Sequence, residues 1–144
     1  MWREMIKDLT PECTFFEPAT PLQIEALEAD VALQLPDRFK SLLLESNGVW
    51  GEYGLRLIWS TKEIKKRNFE MREDRNFKES FMPFDNLLFI ADAGNGDLFA
   101  YPIMQRKIRR SGIFAWNHEN DSRTWVAPSL EKYLEWWLQG KIKL

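Results

Sequence analysis

Apolar residues recur along the chain in two periods, and the change from one to the other divides it. Thr20-Pro21-Leu22-Gln23 has the form of a capping box with proline at the first helical position, and Ile24, Leu27 and Val31 follow at helical spacing. The opposite face holds Glu25, Glu28 and Asp30. Leu35-Pro36-Asp37 breaks and restarts the chain, after which Phe39, Leu42, Leu43 and Ser46 make a second stripe that Asn47-Gly48 should end. Leu55–Trp59 reads as a strand, and Ser60-Thr61-Lys62-Glu63 repeats the capping-box logic before a charged helix carrying Ile64 and Met71.

From Leu87 onward the pattern is mostly that of strands: Leu87–Ala91, Asp97–Tyr101, Gly112–Trp116 and Thr124–Val126, with short turn-rich connections that favour antiparallel pairing. Ser129 is placed to cap a last helix, in which Leu130, Tyr133, Leu134, Trp137 and Leu138 share a face and Gly140 stops the element. The class is α+β: N-terminal helices, a mainly antiparallel β-sheet and a C-terminal helix in one compact domain over residues 1–144. No repeat, low-complexity tract or Pro/Gly/Ser linker marks a boundary within it.

The segment ADAGNGDLFAYP, Ala91 to Pro102, has the letters of a ligand loop. A calcium loop would need oxygen ligands where Gly94 and Gly96 stand and a glutamate where Ile103 stands. A dinucleotide fingerprint would need glycine at Phe99 and a helix after it, and a Walker loop would need Gly-Lys-Ser/Thr. The remaining reading is a β-hairpin whose glycines supply positive φ.

Composition supports a single domain with a dense core: 144 residues, 44% hydrophobic, with seven Trp and ten Phe. The net charge of −2 argues against a dedicated nucleic-acid binder, but it conceals an asymmetry. Residues 8 to 37 carry a formal −7, from Asp8, Glu12, Glu17, Glu25, Glu28, Asp30 and Asp37, without one Lys or Arg. By contrast, Arg106-Lys107-Ile108-Arg109-Arg110 is purely basic. The one cysteine, Cys13, has no internal disulfide partner, and the first residues are too charged for a secretory core, which points to the cytosol. The longest apolar run, Leu87–Ala91, is far short of the roughly 20 residues of a membrane helix.

Few residues invite catalysis. His118 is the only histidine, which excludes a two-histidine zinc site, and its neighbours Asn117, Glu119, Asn120 and Asp121 suggest a solvated turn. Cys13 sits in an acidic loop with no adjacent base to favour a thiolate, so it reads as buried or idle. Asp92 and Asp97 flank the hairpin turn and could form a carboxylate pair, although such turns more often use Asp for local hydrogen bonds. Of Trp136 and Trp137, about 100° apart on a helix, one should be core and the other marginal. The run from Arg106 to Arg110 could meet phosphates but reads as a solvated hairpin tip. No cofactor, metal or catalytic set is implied.

Taken in order, Pro21–Ile24, Leu35-Pro36-Asp37, Asn47-Gly48, Ala93–Tyr101, Phe114–Glu119 and Ala127-Pro128-Ser129-Leu130 before a final helix resemble the SUKH superfamily. That superfamily includes fungal Smi/Knr-type cell-wall regulators and many bacterial immunity proteins. The likeness spans about residues 17 to 139 and is strongest to the small single-domain immunity type. It implies a non-enzymatic protein that binds and neutralises a cognate toxin domain, often a nuclease. It assigns no cofactor to the glycine segment and carries over no inhibitory residue. A regulatory scaffold like the fungal members, and a hydrolase using Asp92, Asp97 or His118, are the alternatives. A nucleic-acid binder would use Arg106, Lys107, Arg109 and Arg110.

For a toxin with a basic substrate groove, the residues suited to docking are acidic and aromatic. Glu25 and Glu28 lie on the polar helix face, and Trp50, Glu52 and Tyr53 in the Gly48–Tyr53 loop; the glutamates read equally as a solvated helix face, and Trp50 as core. Neither direct nucleic-acid contact nor membrane contact is expected.

Overall fold

A computed structural model describes all residues from 1 to 144. Six α-helices and seven strands follow in the order α1 (Trp2–Leu9), β1 (Thr14–Phe15), α2 (Pro21–Val31), α3 (Asp37–Leu43), β2 (Val49–Trp50), β3 (Arg56–Ile58), α4 (Thr61–Glu73), α5 (Arg75–Ser80), β4 (Leu87–Asp92), β5 (Leu98–Pro102), β6 (Ile113–Trp116), β7 (Arg123–Ala127) and α6 (Leu130–Leu138). Short 3-10 turns occupy Glu52–Gly54 and Phe84–Asn86. The expected α+β class and C-terminal helix are present. The strands form two antiparallel sheets rather than one, ordered β1-β2-β3 and β4-β5-β6-β7. Beside them, the Trp59 N–H donates to the Ile90 carbonyl at 2.8 Å and ties the end of β3 to β4.

The caps form as the sequence suggests. Thr20 Oγ1 accepts from the Gln23 N–H while Gln23 Oε1 accepts from the Thr20 N–H, and Ser60 with Glu63 repeats the arrangement at α4. Ser129 caps α6 through the Lys132 N–H. Two boundaries differ. The apolar stripe of α3 was expected to run to Ser46, but the helix ends at Leu43. Ser46 instead folds back, its hydroxyl donating to the Gly48 carbonyl and accepting from the Phe16 N–H. Gly48 then turns at φ +95°, where a Cβ would come within 3.0 Å of the Ser60 backbone.

The segment after Gly48, a loop by its sequence, begins in extended pairing. Val49 and Trp50 are a strand, paired with Phe15 and Thr14 on one side and with Ile58 and Arg56 on the other. Two-residue strands leave too little alternation to be recognised locally. Helix α1 was also not foreseen. Only Trp2 and Ile6 of it are buried, and the Trp2 Nε1–H reaches Ser41 Oγ at 2.8 Å. Helix α5, capped by Asp74 through the Asn76 and Phe77 N–H groups, has no fully buried residue.

Strands β4 and β5 are buried almost throughout, as expected of strands covered on both faces. Alternation sends Phe99 and Tyr101 to one face, where Tyr133, Trp137 and Phe39 meet them at 4.7, 5.1 and 5.7 Å between ring centroids. Phe89 and Trp116 go to the other, against Phe84 and Phe77. Trp136 and Trp137 are both half-buried, so the expected division into one core and one marginal residue does not hold. Asn68 clamps α4 to this sheet. Fully buried, it donates to the Ile64 and Phe89 carbonyls and accepts from the Phe89 N–H, which leaves β4 no unmet backbone group there.

The glycine-rich segment is the turn of the β4–β5 hairpin. Gly94 and Gly96 adopt φ of +93° and +100°, and the Ala93 N–H donates to the Asp97 carbonyl at 3.0 Å. Both glycines are needed because an L side chain is strained at these angles.

Candidate partner-binding surface

The acidic and aromatic candidates separate into two places. At the first, the β2–β3 connection turns sharply, with the Gly51 N–H donating to the Leu55 carbonyl at 2.7 Å. Tyr53 sits in this turn with φ +58° and its side chain fully in solvent, and Glu52 beside it is also exposed. A left-handed backbone at a bulky non-glycine residue is uncommon. The two residues edge a groove of about 350 Å³ whose floor includes Leu9, Leu55, Trp137 and Leu138, contributed by α1, the β2–β3 connection and α6. Trp50 is half-buried: Phe16 meets it edge-on at 5.1 Å and the Arg56 guanidinium lies 4.0 Å from its ring centroid.

The second place is α2. Glu25 is exposed and makes no ion pair. Glu28 is half-buried, accepts from the Leu35 N–H at 2.7 Å and faces the Lys40 ammonium at 3.7 Å, so its carboxylate fastens the α2–α3 connection. It also lines a second groove with Arg106 and Lys107. The acidic and basic stretches noticed in the sequence thus meet here. Met104 and Lys107 exchange backbone hydrogen bonds around Gln105 and Arg106, both left-handed at φ +53° and +63°. This is a tight two-residue turn with exposed cations, as expected of a hairpin tip. Further along, Trp125 on the edge strand β7 and Met104 are exposed beside Arg109 and Arg110. Nothing local in the sequence marked Trp125, which lies exposed on the edge strand of its sheet.

The residues considered for catalysis do not converge as a carboxylate pair. Asp92 accepts from the Trp59 Nε1–H at 3.1 Å and faces Arg67 at 3.7 Å. Asp97 is buried and is occupied by His118: Oδ1 lies 2.6 Å from Nδ1 and accepts the His118 backbone N–H at 3.0 Å. The solvated turn histidine expected from the sequence is therefore a half-buried one, packed over Gly96 and tied to the β4–β5 hairpin. Burial opposes charge on Asp97, but hydrogen bonds from His118 and Asn95 outweigh it and hold the carboxyl below its ordinary range. The arrangement orients an imidazole, and Nε2 faces only the exposed Glu119 carboxylate, at 3.9 Å. Burial raises the Cys13 thiol, with Lys7 opposing.

No three His, Cys, Asp or Glu side chains come together in a way that could hold a metal ion. No helix is long and apolar enough to cross a membrane.

An α+β chain with capped N-terminal helices, a glycine-turned central hairpin and a closing helix is the architecture implied by the SUKH resemblance. The family described as SMI1-KNR4 cell-wall, SUKH_6, matches residues 21–134. The chain belongs to this SUKH family, whose match runs from the first residue of α2 into α6. No curated protein matches the sequence.

Proposed function

We propose that the protein is an immunity protein that binds a cognate bacterial toxin domain, a nuclease, and neutralises it by non-covalent occlusion in the cytoplasm. Family membership makes a protein-binding role the starting point. The observation that supports a docking site is Tyr53, held wholly in solvent on a strained backbone beside Glu52, at the rim of an apolar groove. Exposed aromatic anchors next to an apolar depression are what interfaces favour. Carboxylates at Glu52 and Glu25 suit a basic groove built for phosphates, because they take the place of the substrate's own charges. Half-buried Trp50, in the adjoining strand β2, offers part of its ring. Glu28 contributes field rather than contact, since its oxygen is already engaged.

No turnover is needed in this scheme. The test is co-expression with the toxin encoded beside it. Wild type should restore growth, and the folded double variant Glu52→Lys, Tyr53→Ala should lose protection. Full protection by that folded variant would move the docking site elsewhere. The second reading, a regulatory interaction scaffold, is favoured by the cell-wall description of the family. It predicts protein partners but no toxin resistance.

A further inference from the structure

A cavity of about 270 Å³ lies between α4, α5 and the Phe84–Asn86 turn, away from the groove beneath Tyr53. Its walls are apolar, with Met71, Phe77, Phe81 and Phe84 among them, and Phe77 and Phe81 stack with centroids 5.6 Å apart. Of the three charged residues in this lining, Arg72 is half-buried while Lys78 and Asp85 are exposed. Arg72 donates through Nη2 to the Leu87 carbonyl at 3.1 Å, while its Nε–H is buried with no hydrogen-bond partner. The Nε–H is sealed from the cavity, but Nη1 makes no hydrogen bond within the protein and is not buried, so the guanidinium that lines the cavity keeps free donors for an acceptor there.

The charges around it indicate which kind. Lys78 and Asp85 also line the cavity, and with Arg72 they leave one positive charge in excess. Lys78 is drawn toward Glu73 at 3.5 Å, and no carboxylate lies within ion-pair distance of Arg72. Burial disfavours the charge on Arg72 and the field of Asp85 supports it, so the guanidinium is held charged without a direct counter-ion. The volume is near the lower end of ligand pockets, which run from roughly 300 to 1,000 Å³, and suits a short acyl chain or single ring. Helix α5, which forms one wall, buries none of its residues fully.

We propose that this cavity is a binding site for a small amphiphilic carboxylate, its apolar body among Phe77, Phe81 and Phe84 and its carboxylate on Arg72. The site is independent of toxin binding and requires no chemistry from the protein.

The experiment is titration of the full chain with sodium octanoate, 1-octanol and sodium acetate, followed by the methyl resonances of Met71 and Met82 and by calorimetry. Octanoate should bind saturably and octanol about tenfold more weakly, because a charged hydrogen bond distinguishes them. Acetate, lacking the apolar body, should not saturate. Arg72→Met should remove the preference for octanoate over octanol. Asp85→Asn, at an exposed position that does not threaten folding, should tighten octanoate by about twofold to threefold. Equal affinity for octanoate and octanol, unchanged octanoate binding in both variants, or no saturable octanoate binding up to about 10 mM would overturn the proposal.

Discussion

Replacing Gly96 with alanine tests the central hairpin and its link to His118 together. The residue adopts φ +100°, and an added Cβ would lie 2.9 Å from His118 Nδ1 and 3.0 Å from two ring carbons. Two costs therefore combine. The backbone strain of an L residue at such an angle is about 1–2 kcal/mol. Relieving the clash by moving the ring breaks its contact with the buried Asp97 carboxylate. That contact is worth about 1–2 kcal/mol when a third of the imidazole is exposed, at the lower end for hydrogen bonds to charged groups. Gly96→Ala should thus cost about 2–4 kcal/mol, lowering the thermal midpoint by roughly 5–15 °C for a chain of this size.

Gly94 provides the control. It shares the positive φ but would meet only Leu55 Cδ1 at 3.3 Å, the end of a flexible side chain, so Gly94→Ala should cost about 1–2 kcal/mol. Urea unfolding monitored by circular dichroism gives both values. Combining Gly96→Ala with His118→Ala should recover about 1–2 kcal/mol as a favourable coupling, because the obstructing ring is gone. Equal losses at the two glycines, or no coupling with His118→Ala, would refute the account of this turn.

Asn68→Ala leaves the Phe89 N–H and carbonyl without their side-chain partner inside the protein and should cost about 2–5 kcal/mol by urea unfolding, with full stability retained if Asn68 is not a clamp. Asp97 and Asp121 are both held below the ordinary value of 3.8, despite burial, by hydrogen bonds from His118 and Asn95 and from Met82, Arg123 and Trp116. Their stabilisation is present above pH 3.8 and is lost as pH falls through the lower folded values. Asp97→Asn should flatten the acid limb of a stability-versus-pH curve, and an unchanged limb would exclude Asp97 as a source. Charge reversal of Glu25, Glu28 and Glu52 to Lys should slow toxin association chiefly at low salt, whereas Trp50→Ala should speed dissociation. Association rates of the folded triple variant equal to wild type at every ionic strength would discard the acidic surface.

Elements whose signals are local were legible in the sequence. The capping boxes at Thr20 and Ser60, the cap at Ser129 and the Gly94–Gly96 turn each involve residues within a few positions of one another, so type and spacing suffice. What was missed depends on distant partners. The strand at Val49–Trp50 exists because Phe15 and Ile58 flank it, and α1 is fixed by a tryptophan reaching Ser41. The same limit applies to the candidate surface. Glu52, Trp50 and Tyr53 could be named from residue type, but the groove beside them needs Leu9 and Leu138 from opposite ends of the chain. Glu28 looked like a free rim charge because its bond to the Leu35 N–H spans the loop between two helices. His118 looked solvated because Asp97 lies 21 residues away in sequence.

One-to-one occlusion of a toxin is tested by titrating the purified cognate toxin domain with this protein while residual nuclease activity is followed. Activity should fall linearly and reach zero at one equivalent, and intact toxin should be recovered when the complex is dissociated with denaturant. Loss of activity at a small fraction of an equivalent with toxin that stays inactive after separation, or full activity at a large excess, would contradict it.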